Sequence, residues 1–177
     1  MDITGIVIVD HGSRRAESNA MLEEVARQFG ERFKQTHDIV EAAHMEICEP
    51  SIATAYAACV ARGATRIMVL PFFLGPGKHW TKDIPALAAE AAAQHPGTQY
   101  HVAMPLGIDD LILDLLNKRA TYCQGNSFLC DSCRGTIRSG EPGLASLEPK
   151  PGHDDKKPAL CSTCPFQGQP LPQTVGT

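Results

Sequence analysis

The sequence predicts an α/β domain, a small four-stranded parallel sheet doubly wound with helices on both faces, followed by an irregular cysteine-containing tail. Three observations lead there. Short β-branched runs alternate with stretches whose apolar residues recur every three or four positions. The connections between them are short, so consecutive strands lie parallel with right-handed crossovers. After Arg119 the periodicity stops, and seven of the 13 prolines fall between Pro142 and Pro172.

The first strand is expected over Ile3–Val9, a β-branched run that ends in Asp10-His11-Gly12-Ser13. Met21, Leu22, Val25, Phe29 and Phe33 then mark one face of a helix. Val40–Met45 reads as a second strand. Pro50 suits the first turn of a helix through Ile52, Tyr56, Cys59 and Val60 that stops near Gly63. Ile67–Phe73 is the most apolar segment and reads as a central parallel strand. Gly75-Pro76-Gly77 breaks regularity. Asp83 is placed as the N-cap of an Ala-rich helix with Pro85 in its first turn. Gln99–Ala103 is a fourth strand. The last helix is expected over Asp109–Arg119, with Leu111, Ile112, Leu115 and Leu116 on its face. The implied division is residues 1–120 for the α/β domain and 121–177 for the tail.

At 177 residues and 43% hydrophobic content the chain can bury a core without staples. The net charge of −4 argues against nucleic acid as a partner. The longest apolar run, Ile67 to Leu74, is interrupted by Pro71 and is too short for a membrane span. Met1 leads directly into a strand with no signal-peptide pattern, so the expected compartment is reducing: the cytoplasm, or the plastid stroma if a transit peptide has been removed.

In an open parallel sheet the ligand crevice lies beyond the carboxyl ends of the strands. That rule selects His11 after the first strand, Glu46 to Glu49 after the second, and Leu74 to His79 after the third. No Gly-rich nucleotide signature accompanies His11. Neutral imidazole both accepts protons near pH 7 and binds Fe, Co, Ni or Zn. Two histidines and the Glu49 carboxylate, with no further ligand, suit an open, exchangeable metal position. His37, His95, His101 and His153 read as surface residues, and His44 as a packed one. Arg14, Arg15, Lys78 and Lys82 flank the histidines as anion partners or as a solvated rim.

Five of the seven cysteines lie after residue 120. Cys130/Cys133 and Cys161/Cys164 form two C-x-x-C pairs able to offer four thiolates, from one chain or from two, to tetrahedral Zn or a [2Fe–2S] cluster. Spacing alone favours Zn. Cys123 is a fifth candidate. Cys48 and Cys59 read as small packing residues.

Three segments carry a family resemblance: V-I-V-D-H-G-S-R-R at 7–15, H-M-E-I-C-E-P-S at 44–51, and L-P-F-F-L-G-P-G-K-H-W-T-K-D-I-P at 70–85. From about Ile3 to Cys123 the chain resembles the small class II tetrapyrrole chelatases, the CbiX/SirB family, and especially its plant and algal branch. The resemblance implies a flavodoxin-like chelatase domain, a lyase that inserts Fe²⁺ into sirohydrochlorin without ATP in sirohaem biosynthesis. Co²⁺ or Ni²⁺ insertion is the alternative, and a non-catalytic metal or tetrapyrrole carrier is the reading of another class. It implies that His11 is the proton acceptor and a metal ligand, and that His79 is the second ligand. It sets Glu49 and the loop Leu74, Gly75, Pro76, Gly77, Lys78 and His79 against the tetrapyrrole. It further implies a [2Fe–2S] cluster in the tail and a homodimer of one-half chains. Pro76, where archaeal relatives tend to carry histidine, favours iron.

Overall fold

The computed structural model describes residues 2–125. Their elements run β1 (Thr4–Asp10), α1 (Ala16–Arg32), β2 (Ile39–His44), α2 (Ile52–Ala61), β3 (Arg66–Pro71), a π-helical turn (His79–Asp83), α3 (Ile84–Ala93), β4 (Gln99–Val102) and α4 (Asp110–Gly125). The sheet order is β2-β1-β3-β4, and all neighbours are parallel. The expected four-stranded α/β fold is therefore present.

Strand β1 is central, so both of its faces are buried and its sequence is continuously apolar. Val7 and Val9 join Ile39, Ala43, Ile67 and Val69 in the larger core, with Ile52, Ala55, Tyr56 and Cys59 of α2 and Ile84, Ala88 and Ala91 of α3. Ile6 and Ile8 point the other way, onto Leu22 and Ala26 of α1. Small residues let α2 approach closely: a Cβ on Gly5 would lie 2.8 Å from the Cys59 Cβ. Burial pushes the Cys59 thiol up to about 12, in keeping with a packing role.

Element ends differ from expectation where local chemistry intervenes. Strand β3 stops at Pro71, which lacks an N–H, although Phe72 N still donates to Val9 O at 2.7 Å. Pro50 precedes α2, whose N-cap is Ser51; the Ser51 hydroxyl accepts from Thr54 N at 3.3 Å. Asp83 does not cap α3. It has helical angles, φ −73° and ψ −50°, and makes no side-chain cap hydrogen bond, because the π-helical turn continues directly into the helix. Helix α4 extends past Arg119 to Gly125.

The sheet and α1 to α3 belong to one compact unit ending at Asp109, and α4 opens a second. On α4, Leu111, Leu113, Leu115 and Leu116 are exposed. Among the described residues no helix is long and apolar enough to cross a membrane. Residues 126–177, with Cys130, Cys133, Cys161 and Cys164, lie outside the described residues.

Candidate functional site

The carboxyl ends of β1 and β2 are joined by more than their ladder. The register pairs Asp10 with His44. Beyond it, Met45 N donates to Asp10 O at 2.8 Å and Glu46 N to His11 O at 3.2 Å. This continued pairing carries Glu46 alongside His11, and their side chains meet with His11 Nε2 2.7 Å from Glu46 Oε1. The His79 ring arrives from beyond β3. Its centroid is 5.1 Å from that of His11 with the planes at 74°. Three residues from three strand ends thus converge.

Under them lies a buried polar link. Asp10 Oδ1 accepts from Gly12 N at 2.9 Å and from His44 Nδ1 at 2.6 Å. His44 is fully buried, as expected of a packed residue, and its Nε2 has no hydrogen-bond partner among the described residues. Gly12 has φ +83°, and a Cβ there would overlap the Glu46 carbonyl oxygen. Only glycine combines that conformation with that approach. Ser13 and Asn19 exchange two 2.9 Å hydrogen bonds, which fasten the turn to α1.

His79 opens the π-helical turn after an exposed loop, Leu74 to Lys78. A Cβ on Gly75 or Gly77 would meet nothing within 4 Å. Trp80 Nε1 donates to Ala103 O at 2.9 Å, anchoring the turn to the end of β4. His79 Nδ1 donates to Asp83 Oδ2 at 3.0 Å, and Lys78 Nζ lies 3.9 Å from Asp83 Oδ1.

Glu49 is held differently from Glu46. Its Oε2 accepts from Ser51 N at 2.6 Å and from the Thr54 hydroxyl at 2.8 Å, at the start of α2. The Ser51 amide above all, and then the Thr54 hydroxyl, hold this carboxyl below the usual carboxylate range. A depressed folded-state value stabilises the fold above the ordinary carboxylate pKa of about 4.3 and loses that effect as pH falls through the folded value. Glu49→Gln is therefore expected to lower the melting temperature slightly at pH 7. The deficit should shrink on acidification below the ordinary carboxylate range, and thermal melts across that range check it. A deficit that does not shrink as the pH falls contradicts this account.

The arrangement offers two imidazoles and one carboxylate at an exposed mouth. Among the described residues no three His, Cys, Asp or Glu side chains are already set as a metal cage. The His11 Nε2–Glu46 Oε1 contact is an ordinary hydrogen-bond distance. Metal bonds of about 2.1 Å at right to tetrahedral angles would set two donors roughly 3.0–3.4 Å apart, so a small opening admits an ion. Sequence reasoning placed Glu46 in the crevice but singled out Glu49. Counting the parallel register on past Asp10 and His44 sets His11 opposite Met45, with Glu46 next in line. Asp83 was likewise missed as a partner of His79. Ile47, Phe72 and Leu74 are exposed apolar residues on the same loops, and Arg14, Arg15, Lys78 and Lys82 are exposed. Cys48 is half-buried beside Gly12, whose Cβ would lie 3.4 Å from the Cys48 Sγ.

The chain matches the CbiX family model over residues 5–122. It is 50% identical over 139 residues to the chloroplastic sirohydrochlorin ferrochelatase of Arabidopsis thaliana, a match covering 76% of this chain and 61% of that protein. It is 33% identical over 116 residues to the sirohydrochlorin cobaltochelatase of Sulfolobus acidocaldarius, covering 66% of this chain and 89% of that one. Among solved structures it resembles SirB from Bacillus subtilis with Fe³⁺, with a TM-score of 0.58 and 31% identity, over 66% of this chain and 46% of that chain. The CbiX protein of Marinobacter aquaeolei gives a TM-score of 0.57 at 26% identity, over 70% of this chain and 97% of that one. The family model spans most of the sheet-forming unit and all three motif segments, and so the chain belongs to the CbiX family of chelatases.

Proposed function

We propose that this protein is a sirohydrochlorin ferrochelatase that inserts Fe²⁺ into sirohydrochlorin. The observation that carries this reading is the convergence of His11, Glu46 and His79 at three strand ends. Identity of 50% to a protein named for that activity favours iron over the cobalt named for relatives at 30–33%.

The chemistry follows from the site. Two pyrrole protons must leave the macrocycle as the ion enters; the His11 nitrogen that the departing ion vacates accepts one, and the other leaves through the exposed mouth to solvent. His11, Glu46 and His79 hold the incoming ion with few enough bonds to surrender it. The loop Leu74–His79 borders the macrocycle, whose flat apolar face suits Ile47, Phe72 and Leu74. Glu49 borders it from the start of α2, where it is exposed and uses Oε2 for that helix. The exposed Arg14, Arg15, Lys78 and Lys82 meet peripheral carboxylates.

Under anaerobic conditions the purified protein with sirohydrochlorin and Fe²⁺ should change the macrocycle's visible spectrum faster than buffer does. Faster turnover with Co²⁺ than with Fe²⁺ would make it a cobaltochelatase. Stoichiometric binding without acceleration would make it a carrier.

Three finer readings accompany this one. The relative named chloroplastic supports a plastid location. The chain covers only about half of the Bacillus SirB chains, and exposed leucines line α4, which supports a homodimer. The donor set of Cys130, Cys133, Cys161 and Cys164 suits a [2Fe–2S] cluster or Zn, and no step above depends on it. Light scattering and the visible spectrum of anaerobically purified protein test the last two.

A further inference from the structure

Asp83 occupies the place where an aspartate before Pro85 would ordinarily cap a helix, yet it caps nothing. The π-helical turn accounts for this. Ile84 N donates to His79 O, five residues back, so Asp83 lies inside a continuous winding rather than at the start of one. The Asp83 carboxylate turns instead to the His79 ring, accepting from Nδ1 at 3.0 Å. Its other oxygen faces Lys78 Nζ at 3.9 Å, so each oxygen has its own cationic or N–H partner. The side chain is partly buried, about 28% exposed, and His79 is 42% exposed. Short π-helical turns inside helices occur frequently at functional sites. This one begins with a histidine and ends with the carboxylate that grips it.

An ionised carboxylate only accepts, so the proton of this hydrogen bond resides on His79 Nδ1. The neutral ring then carries its lone pair on Nε2. We propose that Asp83 is the positioning residue that fixes the tautomer and orientation of His79, presenting Nε2 as a metal donor. Such outer partners of metal-binding histidines typically change metal affinity about 10- to 100-fold. The proposal rests on the reading of His79 as a metal ligand.

The test is a Co²⁺ titration of the full chain without tetrapyrrole, followed by the cobalt absorption bands and by calorimetry. It compares wild type, Asp83→Ala, Asp83→Asn, His79→Ala and the double variant His79→Ala/Asp83→Ala. Asp83→Ala should weaken Co²⁺ binding about 10- to 100-fold. Asp83→Asn, which keeps an acceptor oxygen, should lose less. Asp83→Ala should raise the KM for the metal while leaving the KM for sirohydrochlorin unchanged. In the His79→Ala background the Asp83 change should have no further effect, because its influence passes through that ring.

Equal Co²⁺ affinity in wild type and Asp83→Ala overturns the proposal, as does a full additional loss in the double variant. If His79→Ala itself leaves Co²⁺ binding intact, the ligand reading falls, and the proposal falls with it by a separate result. Asp83→Asn preserves size and shape, so a folding defect in the alanine variant does not remove the comparison.

Discussion

His11→Ala is expected to slow Fe²⁺ insertion by about 100- to 10,000-fold, the usual range for removing a positioned proton acceptor. The residue sits at a strand tip with its side chain 41% exposed, so little packing is lost and the fold should survive. In the proposed reaction the substitution removes an imidazole that serves twice, as acceptor of a pyrrole proton and as metal donor, and it leaves the Glu46 carboxylate without its ring partner. His79→Ala removes a donor alone, so it should raise the KM for metal more than it lowers kcat. Anaerobic initial rates at varied Fe²⁺ and sirohydrochlorin, with thermal melts as the folding control, measure both. An unchanged rate in folded His11→Ala protein would overturn the catalytic assignment.

Gly12→Ala should be costly to both fold and site. The new Cβ would force an alanine into φ +83°, press on the Glu46 carbonyl oxygen, and lie 3.1 Å from the His44 Cβ. The left-handed conformation costs about 1–2 kcal/mol. Overpacking against backbone adds about 1–3 kcal/mol. The Glu46 carbonyl cannot yield without shifting the Glu46 amide, which donates to His11 O, and with it the 2.7 Å side-chain pair. Urea unfolding should therefore show a loss of roughly 2–5 kcal/mol, the sum of these two costs. The rate should fall even in the folded fraction. A variant with wild-type unfolding midpoint and wild-type rate would show that the turn is not the constraint described.

The alternation of short β-branched runs with helical faces made the sheet and its crevice legible. His11 was visible because it ends the most buried strand, and His79 because a Gly-Pro-Gly break delivers it to the same edge. Glu46 and Asp83 were harder for different reasons. Glu46 depends on hydrogen bonds that continue past the ladder, which composition does not reveal. Asp83 looked like a cap because hydrophobic periodicity registers a helix but not one turn wound wider. Glu49 stood out beside Pro50, and its Oε2 is used at the first turn of α2.

The two histidines are mounted with unequal stiffness. His11 stands on a turn tied by the Glu46 amide, the Asp10 carboxylate and the Asn19 side chain. His79 follows a loop with open space around both glycines and is anchored on its far side through Trp80. In the proposed reaction the pair would work as a vice with one fixed jaw and one looser jaw. An ion gripped this way would be let go by a small retreat of the looser side, while the fixed jaw keeps its aim on the macrocycle. Delivery would then require no rearrangement of the core.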